Sequence, residues 1–97
     1  MFDEVFPKEL KARLDAGEEL VIVDVRQPEE HAEKNIPSAI LIPLNTLPER
    51  IDELAPYKDR EIIVYCEVGG RSARACEYMV QSGFANPVNL IGGMMAW

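Results

Sequence analysis

Two uninterrupted β-branched runs constrain this chain more than any other feature. Leu20-Val21-Ile22-Val23-Asp24 ends in an acid, and Glu61-Ile62-Ile63-Val64-Tyr65-Cys66 ends in a cysteine. A strand with one wet face alternates apolar and polar residues, whereas a run without alternation is buried on both faces. Two such strands require helices above and below their sheet, and the remaining segments provide them. Pro7 to Ala16 opens with proline and stops before Gly17, the punctuation of a short helix. Gln27 to Lys34 carries Pro28 and two glutamates at its start, which suits a helix N-terminus. Thr46-Leu47-Pro48-Glu49 has capping-box spacing, and Ile51 and Leu54 continue an apolar face to about Ala55. Ser72 to Ser82 places Cys76, Met79 and Val80 on one stripe and ends at Gly83. Ala39 to Ile42 and Pro87 to Leu90 read as shorter strands, and Phe2 to Phe6 as an edge strand. Strands alternating with short helices imply an α/β domain, a mostly parallel sheet covered on both sides. Ligands of such sheets bind outside the carboxyl ends of the strands. Asp24 and Cys66 stand at those ends.

Length and charge remove other classes. At 97 residues the chain is read as one domain, residues 1–97, able to bury roughly two thirds of its unfolded surface. Ten basic against 17 acidic residues give a net charge of −7. Such a surface repels phosphate, so neither nucleic acid nor a membrane surface is an expected partner. Cys66 and Cys76 are too few for a disulfide framework, and with the lone His31 they cannot complete a zinc site. No metal or cofactor is expected. An acidic start without a signal-peptide pattern, and no apolar run approaching the ~20 residues of a membrane span, suggest a cytoplasmic protein.

The chemistry is concentrated in Tyr65-Cys66-Glu67-Val68-Gly69-Gly70-Arg71-Ser72. A cysteine stands where a buried strand ends; four residues follow, two of them glycine, then Arg71, and Ser72 opens a helix. Paired glycines permit the backbone to curl its N–H groups inward around the sulfur. The helix terminus adds partial positive charge and Arg71 a full one. Each effect favours thiolate over thiol, which makes Cys66 a candidate nucleophile. Cys76, on an apolar stripe, reads as core. The Met94-Met95 pair reads as packing, His31 as a partly exposed helix residue, and Glu29, Glu30 and Glu33 as a solvated helix face.

These segments resemble the single-domain rhodaneses, a sulfurtransferase family, over nearly the whole chain. Cys66 to Ser72 is similar to the family's six-residue active-site loop, and Val23-Asp24-Val25-Arg26 with Pro28 and Glu30 resembles its first signature. Asn35-Ile36-Pro37-Ser38-Ala39 with Ile42-Pro43 is a degraded second signature, with Lys34, Asn35 and Ser38 where glycine, histidine and glycine are usual. Gly92-Gly93-Met94-Met95-Ala96-Trp97 is similar to the family's C-terminal motif. The resemblance implies a three-layer rhodanese-like fold with a five-stranded, mostly parallel sheet.

It also implies that Cys66 takes a sulfane sulfur from a donor, becomes a persulfide, and passes the sulfur to a thiol or cyanide. The loop residues Glu67, Val68, Gly69, Gly70, Arg71 and Ser72 would bind the persulfide and the donor. Arg71 would orient the loop or bind an anionic donor group; Ser72 would cap the helix or bond the sulfur. Asp24 and Arg26 would form a salt bridge that shapes the loop.

Glu67 opposes both thiolate formation and the approach of a dianion. With the net charge of −7, it makes a persulfide, including a protein-borne one, a better expected donor than thiosulfate. A non-enzymatic binding or sulfur-carrier module is the competing class. Phosphatase or arsenate reductase chemistry is disfavoured, because phosphatase loops hold one more residue between cysteine and arginine.

Overall fold

The computed structural model describes residues 1–97. Five strands, β1 (Asp3–Val5), β2 (Val21–Asp24), β3 (Ile40–Leu41), β4 (Glu61–Tyr65) and β5 (Asn86–Leu90), form one sheet in the order β1-β5-β4-β2-β3. Every pairing is parallel. Four α-helices connect them: α1 (Pro7–Asp15), α2 (Pro28–Glu33), α3 (Leu47–Arg50) and α4 (Gly70–Gln81). A 3-10 turn, Gly93–Ala96, follows β5.

The two β-branched runs lack alternation because each face meets its own core. Ile62, Val64 and Cys66 join Val23 in a cluster with Leu47, Leu54, Cys76 and Met79, beneath α3 and α4. Their neighbours Ile63 and Tyr65 join Ile22 on the opposite face with Leu10, Ile36 and Leu90. A one-residue slip of either strand would exchange the two sets, so packing on both sides fixes the register. In that register Asp24 lies beside Tyr65. The carboxyl ends of β2 and β4 are therefore level, and the residues following them share one edge of the sheet.

Strand and helix positions agree with the sequence pattern to within a few residues, with two informative differences. The segment read as one helix from Thr46 is three pieces: a 3-10 turn at Leu44–Thr46, α3, and a second 3-10 segment at Ile51–Tyr57. Thr46 caps no helix; its hydroxyl donates to Pro43 O at 2.8 Å. Pro56 lies inside the last piece, where it has no N–H to continue an α-helical ladder. The helix expected from Ser72 begins two residues earlier, at Gly70, after Gly69 turns the chain at φ +111°. Arg71 and Ser72 thus belong to its first turn.

Ser38 occupies the position where a glycine is usual in the resemblance, and it retains a glycine-like backbone at φ +72°. The exposed serine carries the strain of this left-handed turn. Ser38→Gly is expected to stabilise the fold by roughly 0.5–1 kcal/mol after the extra freedom of the unfolded glycine is subtracted. The midpoint of urea unfolding, with an unchanged slope, is the measurement.

Candidate active site

Cys66 directly follows β4, and Glu67, Val68 and Gly69 carry the chain to α4. The turn at Gly69 points its N–H back at the sulfur, 3.0 Å from Cys66 Sγ. The amides of Val68 and Ser72 also face it, and Ser72 Oγ lies 3.3 Å away. Cys66 is fully enclosed, with no exposed surface. Burial pushes its thiol up, yet the Ser72 hydroxyl and the three amides outweigh burial and hold it below the ordinary value. Cys76 has no such donors. Burial, with a small contribution from Glu77, drives its thiol up to about 12. Hydrogen-bond donors surround the Cys66 sulfur, whereas Cys76 packs among apolar side chains of the core. Ser72 bonds the sulfur and does not cap the helix.

The loop is braced from the C-terminal segment. Met94 N–H donates to Cys66 O at 2.8 Å and Met95 N–H to Glu67 O at 2.9 Å. Gly93 makes this approach with φ +59°, and a Cβ there would collide with Cys66 O and lie 2.7 Å from the Glu67 carbonyl. Only glycine lets the two backbones meet.

Below the loop, Asp24 and Arg26 form the expected salt bridge, and it reaches further than a pair. Both are buried. Arg26 Nη2 and Nε donate to Asp24 at 2.8 to 3.2 Å, and the Arg26 amide donates to Asp24 Oδ1 at 2.9 Å. The same guanidinium donates to Lys34 O at 2.6 Å and to Glu67 Oε1 at 3.3 Å. Burial works against the Asp24 carboxylate, but the Arg26 contacts prevail and hold it below its usual range. His31, half-buried on α2, places Nδ1 2.9 Å from Asp24 Oδ2. It is a member of this network and not simply a surface residue.

Glu30 departs from the expected solvated face. It accepts both Arg71 guanidinium nitrogens, at 2.7 and 2.9 Å, and the Gln27 N–H at 2.9 Å. The Arg71 contact holds its carboxyl well down, near 2. The reason is tertiary: α4 brings Arg71 over α2. The pairing ties the first turn of α4 to α2.

A cleft of about 380 Å³ opens beside the loop, lined by Arg26, Glu30, Glu33, Lys34, Glu67, Met94 and Met95. Both arginines at the site, Arg26 and Arg71, are already matched with carboxylates. Lys34 is the remaining cation of the lining, against three glutamates.

Residues 6–97 match the rhodanese-like domain family. The chain belongs to that family. It is 39% identical over all 97 residues to a sulfurtransferase of Allochromatium vinosum, covering 89% of it. A putative sulfurtransferase of Bacillus subtilis is 43% identical over 94 residues, 97% of this chain and 88% of the relative. A putative sulfur carrier protein of the same organism is 35% identical over 97% of this chain and half of its own length. The crystal structure of a rhodanese-like domain protein from Staphylococcus aureus superposes with a TM-score of 0.90. That protein is 38% identical, and the match covers 99% of this chain and 91% of the other.

One residue of this rhodanese-like site escapes the sequence reading. Asn89, buried in β5, accepts the Ser72 hydroxyl proton on Oδ1 and donates Nδ2 to Gly69 O at 3.4 Å. Its signal was a polar residue between Val88 and Leu90, at the same sheet edge as Asp24 and Cys66. Gly92-Gly93, present in the motif, acquires its physical role only from the close approach to the loop. Gly93→Ala is therefore expected to cost about 2–3 kcal/mol through overpacking and backbone strain. It should also raise the Cys66 pKa by loosening the amides around the sulfur. Denaturant unfolding and a thiol titration measure the two effects.

Proposed function

We propose that this rhodanese-like domain is a sulfurtransferase that carries sulfane sulfur as a persulfide on Cys66. The observation that carries the reading is the enclosed sulfur held by the Gly69 N–H at 3.0 Å, with the Val68 and Ser72 amides around it. The Cys66 thiolate attacks the outer sulfur of the donor. The donor's own bond to that sulfur breaks, and its remainder leaves with the electron pair as a thiolate or sulfite. Negative charge then rests on the outer sulfur of Cys66–S–S⁻, where loop amides stabilise it. A thiol or cyanide next attacks that outer sulfur, and Cys66 leaves as thiolate. No oxidant is consumed in either half.

The donor favoured here is a persulfide. A dianion such as thiosulfate needs a cation at the mouth, and Arg26 and Arg71 are matched by Asp24, Glu67 and Glu30. The remaining field of a chain with net charge −7 repels it. Glu67→Gln is expected to raise thiosulfate turnover roughly three- to tenfold at low salt, with the gap closing as salt is added. Equal turnover of variant and parent would remove the electrostatic argument for donor choice.

The central experiment is intact mass after treatment with thiosulfate and, separately, a low-molecular-weight persulfide. One added sulfur, lost on cyanide treatment and absent in Cys66→Ala, is the expected result. No mass change with either donor would overturn the reading and leave a binding module. A sulfur carrier is the second reading, favoured by the full enclosure of Cys66 and by the carrier-named relative. It loads the same sulfur but shows little steady-state turnover with small acceptors.

A further inference from the structure

The Ser72 hydroxyl has one proton and two claimants. Its Oγ lies 3.3 Å from Cys66 Sγ and 2.5 Å from Asn89 Oδ1. Asn89 is 6% exposed, and its amide orientation follows from Nδ2 donating to Gly69 O at 3.4 Å. The reversed amide would set its oxygen against the Gly69 carbonyl. With Oδ1 facing Ser72, the hydroxyl proton lies on Asn89, and a neutral Cys66 can donate its S–H to Ser72 Oγ. A thiolate has no proton to give and can only accept. The hydroxyl must then turn to the sulfur and leave Asn89 Oδ1, a buried acceptor, without its donor.

We infer that Asn89 is a positioning residue that competes with Cys66 for the Ser72 proton, so that the hydroxyl follows the charge on the sulfur. It lies on Asn89 while Cys66 is a thiol and turns to Sγ when Cys66 ionises. It returns once the sulfur is capped and the charge has moved to the outer atom. Only this last step rests on the persulfide reading; the competition itself belongs to the free thiol. The proton lost by Cys66 on ionisation goes to solvent, and the Ser72 proton is retained throughout.

The consequence is a thiol kept less acidic than Ser72 and the three amides alone would make it. That is useful, because the nucleophilicity of a thiolate falls as its pKa falls, and the best attacking thiol titrates near ambient pH. The other titratable groups that interact with the sulfur are Arg71 and Cys76 on α4, with Glu67 next to Cys66 in the loop and paired to Arg26, which in turn pairs with Asp24 at the end of β2.

The test is a titration of the Cys66 thiolate by its ultraviolet absorbance in the unloaded protein. Burial pushes the Cys76 thiol up to about 12, away from the Cys66 transition. Asn89→Ala and Asn89→Leu are expected to lower the Cys66 pKa by about one pH unit. The fall should vanish when Ser72→Ala is present as well. A purely structural role for Asn89 loosens the loop and moves the pKa up in both backgrounds. An unchanged or raised pKa in a variant that still melts cooperatively would overturn the competition, as would an equal fall without Ser72. If both truncations unfold, Asn89→Asp, which keeps the side-chain shape, supplies the decision. It strengthens the competing acceptor, so the pKa should rise more with Ser72 than without it, and equal rises would reject the inference. Because the protein is unloaded, failure of sulfur loading in the mass experiment leaves this titration untouched, and the two readings fail separately.

Discussion

The guanidinium of Arg26 is the constraint on which the rest of the site depends. It is 2% exposed, and a buried charge is tolerated only when it is paired and its donors are satisfied. Its partners therefore dictate where three segments sit. Asp24 holds it at the end of β2, Lys34 O ties it to the end of α2, and Glu67 ties it to the loop. The Tyr65 ring lies beneath it, 5.3 Å from the guanidinium carbon, while the Tyr65 hydroxyl accepts the Ile36 N–H at 3.1 Å. Replacing such an ion pair by apolar groups can be neutral, whereas removing one partner is strongly destabilising.

Above that pair, the loop is set by backbone geometry. Gly69 turns inward and aims an amide at the sulfur, and Gly93 lets the C-terminal segment clasp the Cys66 and Glu67 carbonyls. Arg71 is drawn over α2 by Glu30. The loop is thus held at its start by Gly93, at its side by Arg26 and at its end by Arg71. An enclosed sulfur within reach of fixed donors is the outcome. Preorganised donors stabilise charge without reorganising when it appears, so the cradle is ready for an ionised sulfur before any partner arrives.

Electrostatics divides into two ranges. Close to the sulfur, amides and the Ser72 hydroxyl overcome burial and favour the anion. At the mouth, Glu30, Glu33 and Glu67 face the cleft, and the arginines are already matched. The local cradle stabilises a negative charge on the sulfur while the carboxylates at the mouth give the cleft a negative field. Both effects follow from one loop, because Glu67 adjoins the nucleophile in the chain yet directs its carboxylate toward Arg26.

The sequence by itself determined the sheet, the covering helices and the cysteine loop. The β-branched runs, proline and glycine boundaries and the Cys66-to-Ser72 spacing are local signals, and local sterics and hydrophobic periodicity enforce them wherever the chain goes. It also separated Cys66 from Cys76, since one follows a strand and the other lies on a helical stripe. Tertiary structure alone decided the partners. Glu30 and Arg71 stand 41 residues apart, and Ser72 and Asn89 stand 17 apart, so no spacing rule joins them. The break-up of the segment after Pro43 has a local cause instead, since Pro56 removes an N–H from the ladder, and the exposed turn at Ser38 stays left-handed without glycine. Pairings across the sheet edge depend on level strand ends, and those exist only after the parallel register has formed.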